Sequence, residues 1–337
     1  MKEFRIAVLG ATGAVGREMV KVLEEYGIPI SELRLLASSR SAGGTIPFKG
    51  GEITVQEARE DSFEGCDYVL GAVQNPLSKH FAPAVVKAGA VYIDNSSAFR
   101  MEPDVPLVVP EINGEDALGN NGIVSNPNCS TIITLMAVAG IAKLSPIRNM
   151  VACTYQAVSG AGQGGLVELE EQMKDLAEGN EIRHKVFPTQ IALNVIPWIG
   201  SASTDDYTTE EMKMQNEGRR ILHRPDLAVT CTCVRVPVMR SHSISVTLRT
   251  EQPVSVEEAQ EAIRNFPGCR LFEEGEGLGY PTPLDSSDQD TVFVGRIRRD
   301  LTDPCGLTLW CCGDQIRKGA AANAVQILRL LAAAKAE

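Results

Sequence analysis

The chain predicts two domains of different class. The first is an α/β domain on a parallel sheet, the second an α+β domain with a mixed, largely antiparallel sheet. Three observations carry this. Over the first 128 residues, short apolar strands alternate with helices, a pattern that calls for crossover connections and parallel pairing. A turn punctuated by glycines joins the first strand to the first helix. Further on, the strands lengthen and alternate apolar with polar residues, as in a sheet with one covered face. At 337 residues, the chain is long enough for two domains and a large core.

In chain order, residues 4–9 form a compact apolar strand, followed by the glycine turn and a helix reaching residue 26. Strands are expected at 34–37, 68–73, 91–94, 107–109 and 122–125, with a helix at 77–87. The apolar run 132–144 reads as a helix with Cys129 at its N-terminus. Later strands are expected at 150–158, 228–238, 243–250, 291–299 and 307–312, and helices at 166–178, 209–222 and 256–265. Residues 275–287, rich in Gly, Pro and acidic side chains, read as a long surface loop. The Ala/Leu-rich helix expected at 315–334 returns to the first domain. The predicted domains are therefore 1–128 plus 315–337, and 129–314.

The net charge of -11 argues against non-specific binding to nucleic acid or to an acidic membrane. A site for an anionic ligand must then gather its own Arg and Lys. The nine cysteines include no C-x-x-C pair and no zinc-like spacing, so no metal is expected. Cys231 and Cys233 share one face of a strand, while Cys311 and Cys312 point to opposite faces. A reduced, cytoplasmic protein fits this usage. No signal peptide or membrane-spanning run is expected, because Met1-Lys2-Glu3-Phe4 leads straight into a strand.

The glycine turn is Gly10-Ala11-Thr12-Gly13-Ala14-Val15-Gly16. Its spacing is G-x-x-G-x-x-G, but the physical demand matches that of G-x-G-x-x-G: close backbone approach and a helix N-terminus aimed at a pyrophosphate. An ordinary βα turn is the plain alternative. The intact strand before it favours a Rossmann-type dinucleotide-binding domain. The second strand ends in Ala37-Ser38-Ser39-Arg40-Ser41, where an NAD site usually carries Asp or Glu. Ser38, Arg40 and Ser41 suit a 2′-phosphate, so NADP is expected over NAD; a polar turn with a solvated arginine is the bland reading.

Cys129 lies in Ser125-Asn126-Pro127-Asn128-Cys129-Ser130-Thr131. At a helix start, unpaired N–H groups and the helix dipole favour a thiolate and a developing oxyanion. Beside a nucleotide loop, such a cysteine suggests oxidation or reduction of an acyl group through a thioester. Arg100, Arg235 and Lys213 are the cationic candidates, with Glu210 one turn before Lys213. Taken singly, Arg235 reads equally as a strand residue on a solvated face, and Glu210–Lys213 as a surface pair. Among four histidines, His242 is the best placed as acid/base; His80 and His223 read as surface residues.

These segments together resemble aspartate-β-semialdehyde dehydrogenase of the bacterial type, over almost the whole length. The resemblance rests on the glycine loop, on Asp94-Asn95-Ser96-Ser97-Ala98-Phe99-Arg100, on the Cys129 segment, and on Gln156-Ala157-Val158-Ser159-Gly160-Ala161-Gly162. Residues 187–197, Glu210-Glu211-Met212-Lys213, the stretch 235–242 and Arg317-Lys318-Gly319-Ala320-Ala321 complete it. It implies NADPH-dependent reduction of aspartyl phosphate to aspartate semialdehyde and phosphate by way of a Cys129 thioester. Cys129 would be the nucleophile, His242 the acid/base, and Gln156 would orient the reacting group. Arg235 would pair with the substrate carboxylate and Glu210 with its ammonium, while Arg100, Asn128 and Lys213 would hold phosphate. Gly10, Thr12, Gly13, Ala14, Val15, Gly16, Ser159, Gly160 and Gln315 would contact the cofactor. A homodimer or homotetramer formed through the second domain is implied. Two positions depart from the family pattern: Gln315 for an Asn, and Ile133 for a Gln. N-acetyl-glutamyl-phosphate reductase, a malonyl-CoA reductase and a non-catalytic nucleotide sensor are the competing readings.

Overall fold

The computed structural model describes residues 2–273 and 279–335. It divides into two compact units, Met1–Asn128 with Ala320–Glu337, and Cys129–Gly319. The first begins with β1 (Phe4–Leu9), α1 (Ala14–Glu25), β2 (Ile30–Ala37), β3 (Thr45–Phe48), β4 (Gly51–Glu57) and β5 (Tyr68–Gly71). It continues through α2 (Asn75–Lys87), β6 (Val91–Asp94), α3 (Pro110–Asn113) and β7 (Ile123–Ser125). The second contains α4 (Cys129–Leu144), β8 (Ile147–Gln156), α5 (Gln163–Glu178), α6 (Thr209–Ile221), β9 (Ala228–Arg235) and β10 (His242–Thr250). After these come α7 (Val256–Arg264), β11 (Cys269–Leu271), α8 (Pro283–Ser286), β12 (Val292–Arg299) and β13 (Gly306–Gly313). A π-helical turn, Arg317–Ala321, leads into α9 (Ala322–Ala334), which completes the first unit.

The first sheet has the order β3-β4-β2-β1-β5-β6-β7. The chain steps from β1 to β2 on one side and later to β5 on the other, so β1 ends at a topological switch point. Apart from exposed Arg5, its residues are buried on both faces, the pattern of a parallel strand between two helical layers. Ile6 and Val8 join Met19 and Leu23 of α1 with Val325, Leu328 and Leu331 of α9. Ala7 and Leu9 face Phe81 and Val85 of α2, with Phe63 and Tyr92.

The second sheet runs β11-β12-β13-β10-β8-β9. The β8–β9 and β11–β12 pairs are parallel, and the other pairs antiparallel. Helix α4 is apolar all round because it is covered all round; residues 130–141 are buried. The strand faces alternate. Met150 and Ala152 are buried, whereas Val151 and Tyr155 are exposed, with the Tyr155 ring 5.5 Å from that of Trp310.

Four expectations need correction. Residues 107–109 make one bridge, Leu107 to Ser125, rather than a strand, because Pro110 already opens α3. The hairpin β3–β4 was not expected; its signal is the turn Lys49-Gly50, both in left-handed backbone. The last helix begins at Arg317 as a π-helical turn and turns α-helical at Ala322, its start capped by the Asp314 carboxylate, which takes the N–H groups of Ile316 and Arg317. Residues 315–319 fall in the second unit, not the first. Of the expected loop 275–287, residues 275–278 lie outside the described residues, and Pro283–Ser286 forms a short helix capped from Thr282. No helix among the described residues is long and apolar enough to cross a membrane.

Candidate active site

In the first unit, β1 runs into the glycine turn. Gly10 has φ +85°, and a Cβ there would lie 2.4 Å from the Ala72 carbonyl oxygen. A Cβ on Gly16 would lie 2.1 Å from the Gly10 oxygen, so neither position admits a side chain. Gly13 is different. Its only close neighbour would be the Gly10 oxygen at 3.5 Å, an ordinary contact. Gly13 begins α1 with no side-chain cap, and the first turn, which holds Ala14 and Val15, has no acidic residue. Thr12 offers its carbonyl to Arg17 Nε at 3.1 Å. At the end of β2, Ser38 and Arg40 are exposed and Ser41 half-buried, in a turn closed by the Ser38 carbonyl accepting from Ser41 N–H.

Arg100, also in this unit, is buried. Its Nε donates to the Asn126 carbonyl at 2.9 Å and its Nη2 to the Asn95 carbonyl at 2.7 Å. Asn126 donates to Asn95 Oδ1 at 2.8 Å and accepts from Asn323 at 2.7 Å. These bonds fix the backbone that leads through buried Asn128 to Cys129.

The second unit collects the remaining chemistry at one end of its sheet. Parallel pairing sets Gln156, the last residue of β8, opposite Arg235, the last of β9. Antiparallel pairing of Tyr155 with Ser243 brings the first residue of β10, His242, beside them. Cys129, the first residue of α4, places Sγ 3.4 Å from His242 Nε2. Gln156 Nε2 lies 3.4 Å from the same ring nitrogen and donates to Glu210 Oε1 at 3.3 Å. Glu210 Oε2 accepts from Lys213 Nζ at 2.8 Å. Helix α6 presents this pair because Thr208 and Glu211 cap its start reciprocally, and because Glu211 also accepts from the Cys233 N–H of β9. Glu210–Lys213 is thus part of the cluster: Glu210 is buried and Lys213 partly covered.

His242 is wholly buried. Burial, and then the nearby Arg235 charge, push its pKa down to about 3, against weaker opposing pulls from Glu210 and the Ser241 backbone. Its Nδ1 accepts from the Ala157 N–H at 3.1 Å. The residue before it, Ser241, has φ +73° and donates its N–H to Gln315 Oε1 at 2.8 Å. Gln315 Nε2 also donates to Ser159 Oγ, so this longer side chain spans both the Ser159 turn and the approach to His242.

Arg235 is buried, donates Nη1 to the Ala157 carbonyl at 2.8 Å, and stacks over the Phe187 ring with 6.0 Å from Cζ to centroid. Desolvation lowers its pKa. Gly160 is glycine for a steric reason: a Cβ there would lie 2.6 Å from Arg235 Nη1 and 3.3 Å from His242 Cε1. Gly319 similarly makes room for Cys129, whose Cβ would stand 2.9 Å from any Cβ at 319. Ile133 packs against Gly313, as a core residue of α4.

Several supports are legible only in three dimensions. Glu168 of α5 is buried and accepts from the N–H groups of Lys185, Val186 and Phe187. Gln172, one turn on, accepts from Ile191 and Ala192 N–H and donates to the Arg183 carbonyl. This clamp holds Phe187 beneath Arg235, and Ile196 closes the same segment onto the Arg235 backbone. Asp314 is fully buried and accepts from Arg240 Nε and the Asp288 N–H. The i,i+4 spacing of Glu168 and Gln172 was the one available signal, and it does not distinguish a clamp from a solvated face. Among the described residues no His/Cys/Asp/Glu group is arranged to hold a metal ion.

A cysteine at a helix start, a buried imidazole against its sulfur and a buried guanidinium nearby are the groups that acyl transfer through a thioester calls for. Residues 5–119 match the semialdehyde dehydrogenase NAD binding domain, and residues 138–318 the semialdehyde dehydrogenase dimerisation domain. The chain belongs to the aspartate-semialdehyde dehydrogenase family. It is 48% identical to the aspartate-semialdehyde dehydrogenase of Synechocystis sp. over 327 residues, 97% of each chain. It is 44% identical to that of Bacillus subtilis, covering 97% of this chain and 96% of the relative. A crystal structure of aspartate semialdehyde dehydrogenase II complexed with ASA from Vibrio cholerae superposes with a TM-score of 0.96 at 41% identity. That match covers 98% of this chain and 99% of the other. Like others in this family, the chain is an oxidoreductase with a nucleotide-binding domain and a dimerisation domain.

Proposed function

We infer that the chain reduces L-4-aspartyl phosphate to L-aspartate 4-semialdehyde and phosphate with NADPH. In the cell this cytoplasmic reaction serves lysine (diaminopimelate), threonine and methionine biosynthesis. The observation that carries the reading is the connected cluster Cys129–His242–Gln156–Glu210–Lys213 with Arg235 at its side.

Cys129 is the nucleophile: its sulfur takes the acyl group as a thioester and releases phosphate. His242 is its proton-handling partner, and Gln156 orients the acyl group between the ring and Glu210. Arg235 spends one guanidinium nitrogen on the Ala157 carbonyl, and its other nitrogens have no protein hydrogen-bond partner among the described residues. That edge suits a two-point pair with the substrate carboxylate. Glu210 meets the substrate ammonium. Lys213, Arg100 and Asn128 are the phosphate-binding groups, the first two of them local cations in a chain of net charge -11.

The glycine loop fits a dinucleotide. Among the described residues packing does not require Gly13, and the start of α1 has no side-chain cap, so its N–H groups suit a pyrophosphate. Gly10, Thr12, Gly13, Ala14, Val15 and Gly16 hold that part of NADP; Ser38, Arg40 and Ser41 hold its 2′-phosphate; Ser159, Gly160 and Gln315 are the remaining cofactor-binding residues. Arg40 is exposed and makes no ion pair with a carboxylate among the described residues, as a phosphate-binding arginine requires. When bound, the reduced cofactor supplies the hydride that converts the acyl group to the aldehyde. The chain acts as a homodimer or homotetramer, and the apolar strand face carrying Val151 and Tyr155 is the surface a second copy would cover.

The test is phosphate-dependent reduction of NADP with L-aspartate semialdehyde, with wild type and Cys129→Ser side by side. Activity should fall by roughly three orders of magnitude or more in the variant while NADP binding persists. An inactive wild type that still binds NADP would overturn the substrate assignment, and an active Cys129→Ser would overturn the thioester.

A further inference from the structure

We propose that Lys185 is a further substrate-recognition residue: it lines one cavity with Arg235, and the two cations together receive the carboxylate end of the substrate. The inference rests on the reading of Arg235 as the carboxylate partner, and adds to it a residue outside the motifs of the site.

The cavity lies within the second unit and has a volume of about 470 Å³. Arg235 is its buried polar end, and Phe187, Ile196 and Trp198 supply apolar walls. Gly200 is part of the lining as well. A Cβ there would lie 2.4 Å from Thr209 Oγ1 and 3.4 Å from the Glu210 nitrogen, so this wall abuts the start of α6, which carries Glu210. The cavity therefore runs from the guanidinium assigned to the substrate carboxylate to the element that carries the partner of its ammonium. Cys129 is near enough to act on the Arg235 charge, so a ligand held here stands within reach of the nucleophile.

The described residues lining the cavity include two cations, Arg235 and Lys185, and no carboxylate. Lys185 is anchored at its backbone, where its N–H donates to the buried Glu168 Oε2 at 2.7 Å. Its side chain is exposed and makes no hydrogen bond or ion pair among the described residues. Lys185 also borders a hollow that contains Asp175 and Glu178 of α5, and the bland reading is a lysine that offsets those carboxylates. Both of them already accept from Asn180 Nδ2. An ammonium on a flexible stem attracts a carboxylate as a point charge and demands no two-point geometry. Exposed, it is screened by salt, with a Debye length of about 10 Å at 0.1 M, whereas the buried Arg235 is screened much less. That contrast separates the two cations in an experiment.

The experiment is phosphate-dependent reduction of NADP with L-aspartate semialdehyde, at fixed saturating phosphate and at low and high sodium chloride. Wild type is compared with Lys185→Gln, Lys185→Glu and Lys185→Arg. At low salt, Lys185→Gln should raise KM for the semialdehyde roughly 3- to 10-fold and Lys185→Glu should raise it further, with kcat and KM for NADP unmoved. At about 0.5 M salt the rise should shrink below about twofold, and Lys185→Arg should stay within about twofold of wild type throughout. An unmoved KM in Lys185→Glu at low salt would overturn the proposal. So would a rise that high salt leaves intact, or a rise in KM for phosphate in place of the semialdehyde. A second measurement needs no turnover: alkylation of Cys129 by 3-bromopropionate against neutral 3-bromopropionamide, located by mass spectrometry. A sulfur electron pair forms the C–S bond as bromide leaves with the C–Br pair. Lys185→Gln should slow the carboxylate reagent by roughly 3- to 10-fold and leave the amide reagent alone; equal rates in variant and wild type, or equal loss with both reagents, would overturn the proposal. A wild type inactive toward L-aspartate semialdehyde that keeps this charge preference would count against the substrate assignment and leave Lys185 standing.

Discussion

At the scale of single residues, the centre depends on groups whose freedom has been removed. Arg235 is held by a carbonyl on one side and the Phe187 ring on the other, so its planar edge is aimed before any ligand arrives. A lysine cannot copy that edge or its two-point pairing. Arg235→Lys should therefore raise KM for L-aspartate semialdehyde by roughly 10- to 100-fold, with a smaller loss in kcat. Steady-state kinetics with saturating NADP and phosphate would check this, and an unchanged KM would remove Arg235 from substrate binding. Arg40 makes the matching prediction for the cofactor. Arg40→Ala should raise KM for NADP by about tenfold or more while leaving KM for NAD nearly unchanged.

At the scale of elements, α5 and α1 do different work by similar means. Helix α5 spends a buried carboxylate and a buried amide on the backbone of the segment from Arg183 to Ala192, which then supports Arg235. Glu168→Gln replaces a charged acceptor of three N–H groups by an amide that can satisfy fewer of them. It should lower stability by about 1–3 kcal/mol in denaturant unfolding and raise KM for the semialdehyde, although the site lies beyond this contact. The turn into α1 tolerates no added atom at Gly16. With 2.1 Å to the Gly10 oxygen, Gly16→Ala must shift the loop. NADP affinity should drop at least about tenfold by calorimetry, whereas the same change at Gly13 should leave the apo fold intact and affect binding alone.

At the scale of the whole molecule, burial of a neutral histidine links stability to pH. In the unfolded chain His242 titrates near its ordinary value, while the folded value is depressed to about 3. Between these limits the unfolded state binds the extra proton, so stability rises with pH. On acidification from about pH 6.5 this one group should cost on the order of 1 kcal/mol per pH unit. Unfolding of wild type and His242→Gln across about pH 5 to pH 7 would measure it as a difference in slope; parallel curves would exclude it. The exposed strand face makes a separate prediction. Tyr155→Glu should shift the sedimentation pattern toward the monomer.

Much of this molecule was readable from its residues. Strand, glycine turn and helix at 4–25, the helix start at Cys129 and the alternation in β8 and β10 are local patterns, and local patterns are written in sequence. The motif residues of the second unit, from Cys129 to His242, were also nameable, because nucleophile, imidazole and guanidinium are scarce and chemically distinct. Tertiary structure alone decided how they act. The Glu210–Lys213 pair became part of the cluster through strand register and the capping of α6, neither visible in an i,i+3 spacing. Gly160 proved to be space for Arg235 and His242, and Gln315 a tie between Ser159 and Ser241. His242 Nδ1 accepts from the amide of Ala157, 85 residues away in sequence. A backbone N–H is the same in every residue but proline, so no side chain announces which one will meet the His242 ring; only the fold brings it there.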